Sequence, residues 1–203
     1  MIEVTVDDII VRTPKSEAAT WTEPKDWLGK LGPLYVVLLK EQVGERILPI
    51  WVGTPEGSAL ALQLSASATP RPMTHDLTAR LLEVVDAKIE RVTVTRLHEN
   101  TFYATIAVSI GEQVHDVDAR PSDALNLALR MNAPIFVAPE VFEQTDVLTV
   151  TSDRALSELE EKHRKDVEEK RLPPETVEME YRSFRILPRG EPGSGLTPAA
   201  KDP

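Results

Sequence analysis

The sequence predicts an α+β domain over residues 1–150, assembled by internal duplication of a three-strand-plus-helix unit. Three observations predict it. First, Tyr35–Leu64 and Phe102–Met131 align without gaps at an offset of 67 residues. Five of the thirty pairs are identical (Gly44/Gly111, Glu45/Glu112, Leu60/Leu127, Ala61/Ala128 and Leu62/Leu129), and others, such as Ile50/Val117 and Glu56/Asp123, are conservative. Second, each copy runs through an apolar strand, a glycine turn, a second strand, a tight turn and a Leu- and Ala-rich helix. Third, Val4-Thr5-Val6 and Val92-Thr93-Val94 lie in alternating β-branched stretches that supply a first strand to each copy. Their offset is 88, so the first copy carries 21 extra residues, Thr13 to Pro33. That polar stretch, with three prolines and two glycines, reads as an inserted loop with a short helical turn around Trp27.

Each remaining element has a local signal. Thr54 is positioned to cap the first helix, Pro55 suits its first position, and Glu56 complements the positive helix end. Between the copies, Thr74 to Val85 reads as an amphipathic helix capped by Thr74, with Leu77, Leu81, Leu82, Val84 and Val85 apolar. Pro134-Ile135-Phe136-Val137 reads as a further buried strand. Residues 151–172 read as a charged C-terminal helical arm, capped by Ser152 or Asp153 and rich in opposite charges three and four apart. A solvated arm or an oligomer contact accounts for such a helix. Pro173 and Pro174 end it, and residues 173–203 read as a mostly irregular or disordered tail.

Composition excludes several chemistries. No cysteine is present, which rules out disulfides, zinc-thiolate sites and thiol nucleophiles. The first residues lack the basic and apolar regions of a secretory signal. No apolar run approaches the roughly 18 to 20 residues that span a bilayer, so the expected compartment is the cytoplasm, with no membrane partner. Net charge is −10, and residues 1–150 hold 21 acidic against 13 basic residues. Proteins that grip nucleic acid by its phosphates usually display a basic surface, so this balance argues against tight non-specific binding. Acidic side chains that hold divalent cations remain compatible with cleaving it.

Polar residues gather in three places: Glu56, the run Arg71 to Asp76, and the run Asp116 to Asp123. Strand alternation puts Asp116, Asp118 and Arg120 on one face and Val117 and Ala119 on the other, which is the expected core face. Carboxylates two residues apart on a strand are roughly 7 Å apart, a separation suited to sharing a hydrated Mg²⁺ or Mn²⁺. Each of these residues also has a plainer reading. Asp116 and Asp118 suit the wet face of a half-buried strand, while Glu56 and Asp123 suit helix N-termini. Arg120 could pair with Asp118 or Asp123, Thr74 and Asp76 suit a helix start, and a lone histidine is more often structural than catalytic.

These same residues carry a family resemblance. The segments Leu48-Pro49-Ile50-Trp51-Val52-Gly53 with Glu56, Pro70-Arg71-Pro72-Met73-Thr74-His75-Asp76-Leu77, and Asp118-Ala119-Arg120-Pro121-Ser122-Asp123-Ala124 resemble the signature of the bifunctional nuclease family. The resemblance covers roughly residues 1–145. It implies action on both DNA and RNA, a compact α+β fold and homo-oligomers. Gly57 departs from the family pattern, which usually has alanine after the glutamate, and the expectation is a looser helix start there. The 13–33 insertion and the charged arm depart from it as well.

Two functional readings follow. In the first, the chain hydrolyses phosphodiester bonds of nucleic acid. Asp118 and Asp123, with Asp116 or Glu56, hold Mg²⁺ or Mn²⁺ that activates water. Arg71 and Arg120 contact the phosphate, and His75, oriented by Asp76, carries the proton. In the second, the chain is a non-catalytic interaction or regulatory module whose Arg–Asp motifs are structural ion pairs. Trp51, at a non-core strand position, is expected at an interface or second packing layer if it is not buried in the core.

Overall fold

The computed structural model describes residues 1–14, 34–145 and 179–183, together with Glu161 and Lys165. The first strand, β1, spans Ile2–Pro14, followed by β2 (Leu34–Glu41), β3 (Ile47–Val52) and helix α1 (Thr54–Leu64). Helix α2 (Thr74–Val84) leads to β4 (Lys88–His98), β5 (Thr101–Ile110), β6 (Gln113–Ala119) and α3 (Pro121–Met131). Strand β7 (Ile135–Val137), α4 (Pro139–Gln144) and β8 (Met179–Ser183) complete the described chain. The mixed α+β class is as the sequence predicts.

One sheet has the strand order β3-β2-β1-β7-β4-β5-β6, with β8 pairing the far part of β1. The short β7 pairs antiparallel with β1 and parallel with β4, joining the two three-strand runs. Strand β8 falls in the tail read as mostly irregular, where its Met179–Ser183 pairs with Ile10–Pro14 of β1. Of the 13–33 stretch read as an inserted loop, Thr13 and Pro14 belong instead to β1, where they pair with β8, and residues 15–33 lie outside the described residues. So does the 151–172 arm except for Glu161 and Lys165, which pair at 2.9 Å.

Local chemistry explains the turns. Gly111 opens the two-residue β5–β6 loop at φ 60°, where the primed hairpin turns need positive φ. Glu99 and Asn100 fill the two-residue β4–β5 loop with φ 47° and 59°, as a type I′ turn requires. Asn132 at φ 53° ends α3 in the left-handed conformation common after helices.

The core lies between the sheet's inner face and the helices. It is built from Val4, Ile9, Val37, Leu39, Leu48 and Ile50 on one run of strands, Val92, Val94 and Ile106 on the other, and Leu60 and Leu125 from α1 and α3. The structure corrects several local expectations. Gly53, not Thr54, is the N-cap of α1, and Met73, not Thr74, is that of α2; in each case the threonine is the first helical residue. Helix α2 buries Ala79, yet Leu77, Leu81, Val84 and Val85 are exposed. Val117 was expected in the core but is 46% exposed. The reason is position: β6 is the outer strand, and α3 packs over β4 and β5 instead.

Gly57 has a packing reason. A Cβ built there would overlap the Cβ and ring of Tyr35, atoms close to the β2 backbone that cannot swing aside. The buried Tyr35 ring therefore occupies the space that an alanine would need. In an open helix, Gly→Ala stabilises by about 1 kcal/mol. Here Gly57→Ala is expected to destabilise by about 1–3 kcal/mol, the usual cost of overpacking. Urea unfolding checks it, and Tyr35→Ala in the same chain should recover the helix benefit of the alanine.

Candidate functional site

Three helix starts converge where the ends of β3 and β6, the two outer strands, come together. Arg120 is the N-cap of α3, Asp123 lies in that helix's first turn, Glu56 in the first turn of α1, and His75 in that of α2. The Arg120 guanidinium bridges them. Its Nε donates to Asp123 Oδ2 at 2.7 Å and its Nη2 to Glu56 Oε1 at 2.6 Å. On the far side of Asp123, His75 Nε2 lies 3.0 Å from Oδ1. The chain Glu56–Arg120–Asp123–His75 thus links α1, α3 and α2. Glu56 and Asp123, which the 67-residue alignment places opposite each other, take the same cation here.

Beside this chain opens a cleft of about 350 Å³, lined among others by Trp51, Glu56, Asn100, Phe102, Arg120 and Ser122. Arg120 is 66% exposed at its side chain, whereas Glu56 and His75 are largely covered. Arg120 therefore opens to the cleft, whereas Asp123, 31% exposed, and His75 lie behind it and do not line it. A guanidinium carries five N–H donors, so two bonds to carboxylates leave three for a ligand.

A second network sits behind the first. Arg130 Nε donates to Asp76 Oδ1 at 2.6 Å, Nη1 to the carbonyl and side-chain oxygens of Asn126, and Nη2 to the carbonyl of Ala59. Asn126, fully buried, donates through Nδ2 to the carbonyls of Glu56 and Ser122. Asp76 Oδ2 accepts the Met73 N–H at 2.8 Å, closing the start of α2. Asp76 therefore does not orient His75, as the sequence reading had it. Asp123 does, and Asp76 belongs to the framework.

The other expected site residues stay apart. Asp116 and Asp118 are exposed on β6 and, among the described residues, make no side-chain hydrogen bond or ion pair. Arg71 is exposed before α2 and likewise engages no partner through its side chain among the described residues. The expected metal set of Asp116, Asp118, Asp123 and Glu56 does not form one cage. Among the described residues, no three His, Asp or Glu side chains are grouped to hold a metal ion, and both oxygens of Asp123 are already engaged. Arg130 and Asn126 were missed by the sequence reading. Their signal was the polar Asn126 inside the apolar run Ala124-Leu125-Asn126-Leu127-Ala128, with Arg130 one helical turn further on.

Electrostatics follow from these contacts. Burial pushes the Asp123 carboxyl up, but hydrogen bonds from Arg120 and His75 outweigh it and leave its pKa lowered. The Met73 N–H, then Arg130, lower that of Asp76. Hydrogen bonds to Asp123 and then Glu56 raise the Arg120 pKa, so its charge is permanent. Because the folded-state values of both aspartates lie below the ordinary 3.8, their stabilisation is complete above that pH and is lost as pH falls below it. Thermal melts should therefore show a falling midpoint below about pH 4, with a shallower fall in Asp123→Asn.

Comparison with known proteins fits this arrangement. The sequence profile of the bifunctional nuclease domain matches residues 37–149, which include every residue of both networks. The chain belongs to the bifunctional nuclease domain family. An uncharacterized protein of Mycobacterium tuberculosis strain H37Rv is 41% identical over 113 residues, which are 56% of this chain and 67% of that protein. Bifunctional nuclease 1 of Oryza sativa subsp. indica is 28% identical over 109 residues, covering 52% of this chain and 33% of the plant protein. A bifunctional nuclease of Oryza minuta matches to the same extent. This chain thus spans about a third of the length of the plant nucleases it matches.

Proposed function

We propose that this chain hydrolyses phosphodiester bonds of DNA or RNA at the cleft beside Arg120. The observation that carries the proposal is the exposed guanidinium, held by two carboxylates and open on its remaining donors. A guanidinium fixed in this way matches a phosphate's paired oxygens and needs no rearrangement when charge builds on them. His75, which reaches the site only through Asp123 and does not line the cleft, is the candidate for the proton chemistry in this reading. With Asp123 ionised, its carboxylate accepts from Nε2–H, which leaves the lone pair on Nδ1 to take a proton from water.

Mg²⁺ or Mn²⁺ enters the proposal only as an ion carried in on the substrate phosphate. Such ions commonly use one or two carboxylates together with substrate oxygens instead of an all-protein cage. Self-association is proposed as well, supported by the exposed Leu77, Leu81 and Val84 of α2 and Val85 just after it. No helix among the described residues is long and apolar enough to cross a membrane, and we place the activity in the cytoplasm.

A second reading has its own observation. The Glu56–Arg120–Asp123–His75 chain ties three helices together, which suits a non-catalytic interaction module. Cleavage of labelled DNA and RNA by the purified chain, with Mg²⁺, Mn²⁺ or EDTA, separates the two readings when run beside Arg120→Ala. Metal-stimulated cutting that the variant loses supports hydrolysis. Equal residual cutting by both proteins marks a contaminant and leaves the module.

A further inference from the structure

Trp51 stands apart from its strand. Its β3 neighbours Ile50 and Val52 are buried, and its cross-strand partner Val36 on β2 is fully buried, yet Trp51 is 49% exposed. Leaving a large ring half in water forgoes burial that the rest of the strand achieves. The ring also lines the cleft that receives Arg120, with Phe102 and Asn100 contributed by β5 and the β4–β5 turn.

The charge balance bears on what this cleft can take. The chain carries −10 overall, and the Arg120 cation is flanked by Glu56 and Asp123. Affinity for nucleic acid cannot come chiefly from a basic track along the phosphates. Aromatic rings offer the other source, because base stacking adds affinity with little dependence on sequence. Stacking of this kind needs a base whose faces are free, and a paired base inside a duplex has both faces covered by its neighbours. The cleft's 350 Å³ lies near the lower end for small-ligand sites, a scale suited to one nucleotide and not to a duplex.

We infer that the cleft seats one unpaired nucleotide, its base stacked on Trp51 and its phosphate on Arg120, so that the substrate class is single-stranded nucleic acid. The inference rests on the nuclease reading of the same site. Asn100, whose amide both donates and accepts hydrogen bonds, lines the wall where a base edge would lie.

The test measures binding by fluorescence anisotropy of the full chain in EDTA. The probes are a labelled ten-nucleotide oligo-dT strand, its abasic counterpart with the same phosphates, its duplex with oligo-dA, and oligo-rU. The dT strand should bind about tenfold or more tightly than the abasic strand and the duplex. Trp51→Ala should lower dT affinity by about tenfold and leave abasic binding unchanged, whereas Trp51→Phe retains most of it. The rU probe shows whether the seat also accepts a ribose. Equal binding of the dT and abasic strands by the wild-type chain overturns the inference without any variant, and so does a duplex bound as tightly as the single strand. Parallel cleavage assays in Mg²⁺ keep the two claims distinct. Cutting without base-dependent binding removes the base seat and leaves hydrolysis standing; base-dependent binding without cutting does the reverse.

Discussion

Arg120→Ala is expected to lower phosphodiester cleavage by about 100- to 1000-fold, the usual loss when a preorganised donor to a developing oxyanion is removed. The same substitution should cost only about 1 kcal/mol of stability. The guanidinium is 66% exposed, and ion pairs that reach solvent contribute little to folding. Some cost remains because Glu56 and Asp123 lose their shared cation, and Asp123 would then hold its proton to higher pH. Arg120→Lys should recover little. A single ammonium cannot serve two carboxylates and a phosphate along fixed directions. Cleavage rates and urea midpoints measured on the same preparations decide between the readings. Wild-type cleavage with a stability loss of several kcal/mol would make Arg120 a strut and would sink the nuclease site.

Much of this site was legible before the fold was known, and the boundary of legibility is physical. The helix starts around Glu56 and Asp123 are written locally, in Thr54-Pro55-Glu56 and Pro121-Ser122-Asp123. The alignment of Tyr35–Leu64 with Phe102–Met131 set Glu56 against Asp123 before any contact was visible. Which carboxylate meets which cation was not local. Glu56 and Arg120 are 64 residues apart, and His75 and Asp123 are 48 apart. Their meeting depends on three helices docking over one curled sheet. Alternation correctly set Asp116 and Asp118 on a wet face, but it could not show that β6 is an edge strand whose opposite face is also open. The apolar periodicity of α2 was real as well. It says that one face is apolar, not that this chain covers it. Gly57 looked like a weakness in a helix and is instead a fit to Tyr35, a residue 22 positions earlier.

Asp76→Ala should be the most destabilising single change in this region, at about 3–5 kcal/mol, the usual penalty for stranding a buried charge. The Arg130 side chain is only 6% exposed, and Asp76 is the carboxylate that answers it. The same truncation removes the acceptor for the Met73 N–H, a loss of about 1 kcal/mol at a helix start. Arg130→Met should cost less. It withdraws the charge and leaves Asp76, 27% exposed, with water and the Met73 N–H. The two losses should not add, because the double variant has no stranded cation; a cycle of urea midpoints should give a coupling of about 0.5–3 kcal/mol. The effect on cleavage is then indirect. Arg130 reaches α1 through the Ala59 carbonyl and α2 through Asp76, and these two helices carry Glu56 and His75. Loosening it should reduce cleavage in proportion to lost positioning, with recovery at lower temperature as the fold regains stability. If Asp76→Ala kept wild-type stability but lost cleavage, Asp76 would return to the chemistry as the partner of His75, and its framework role would fall.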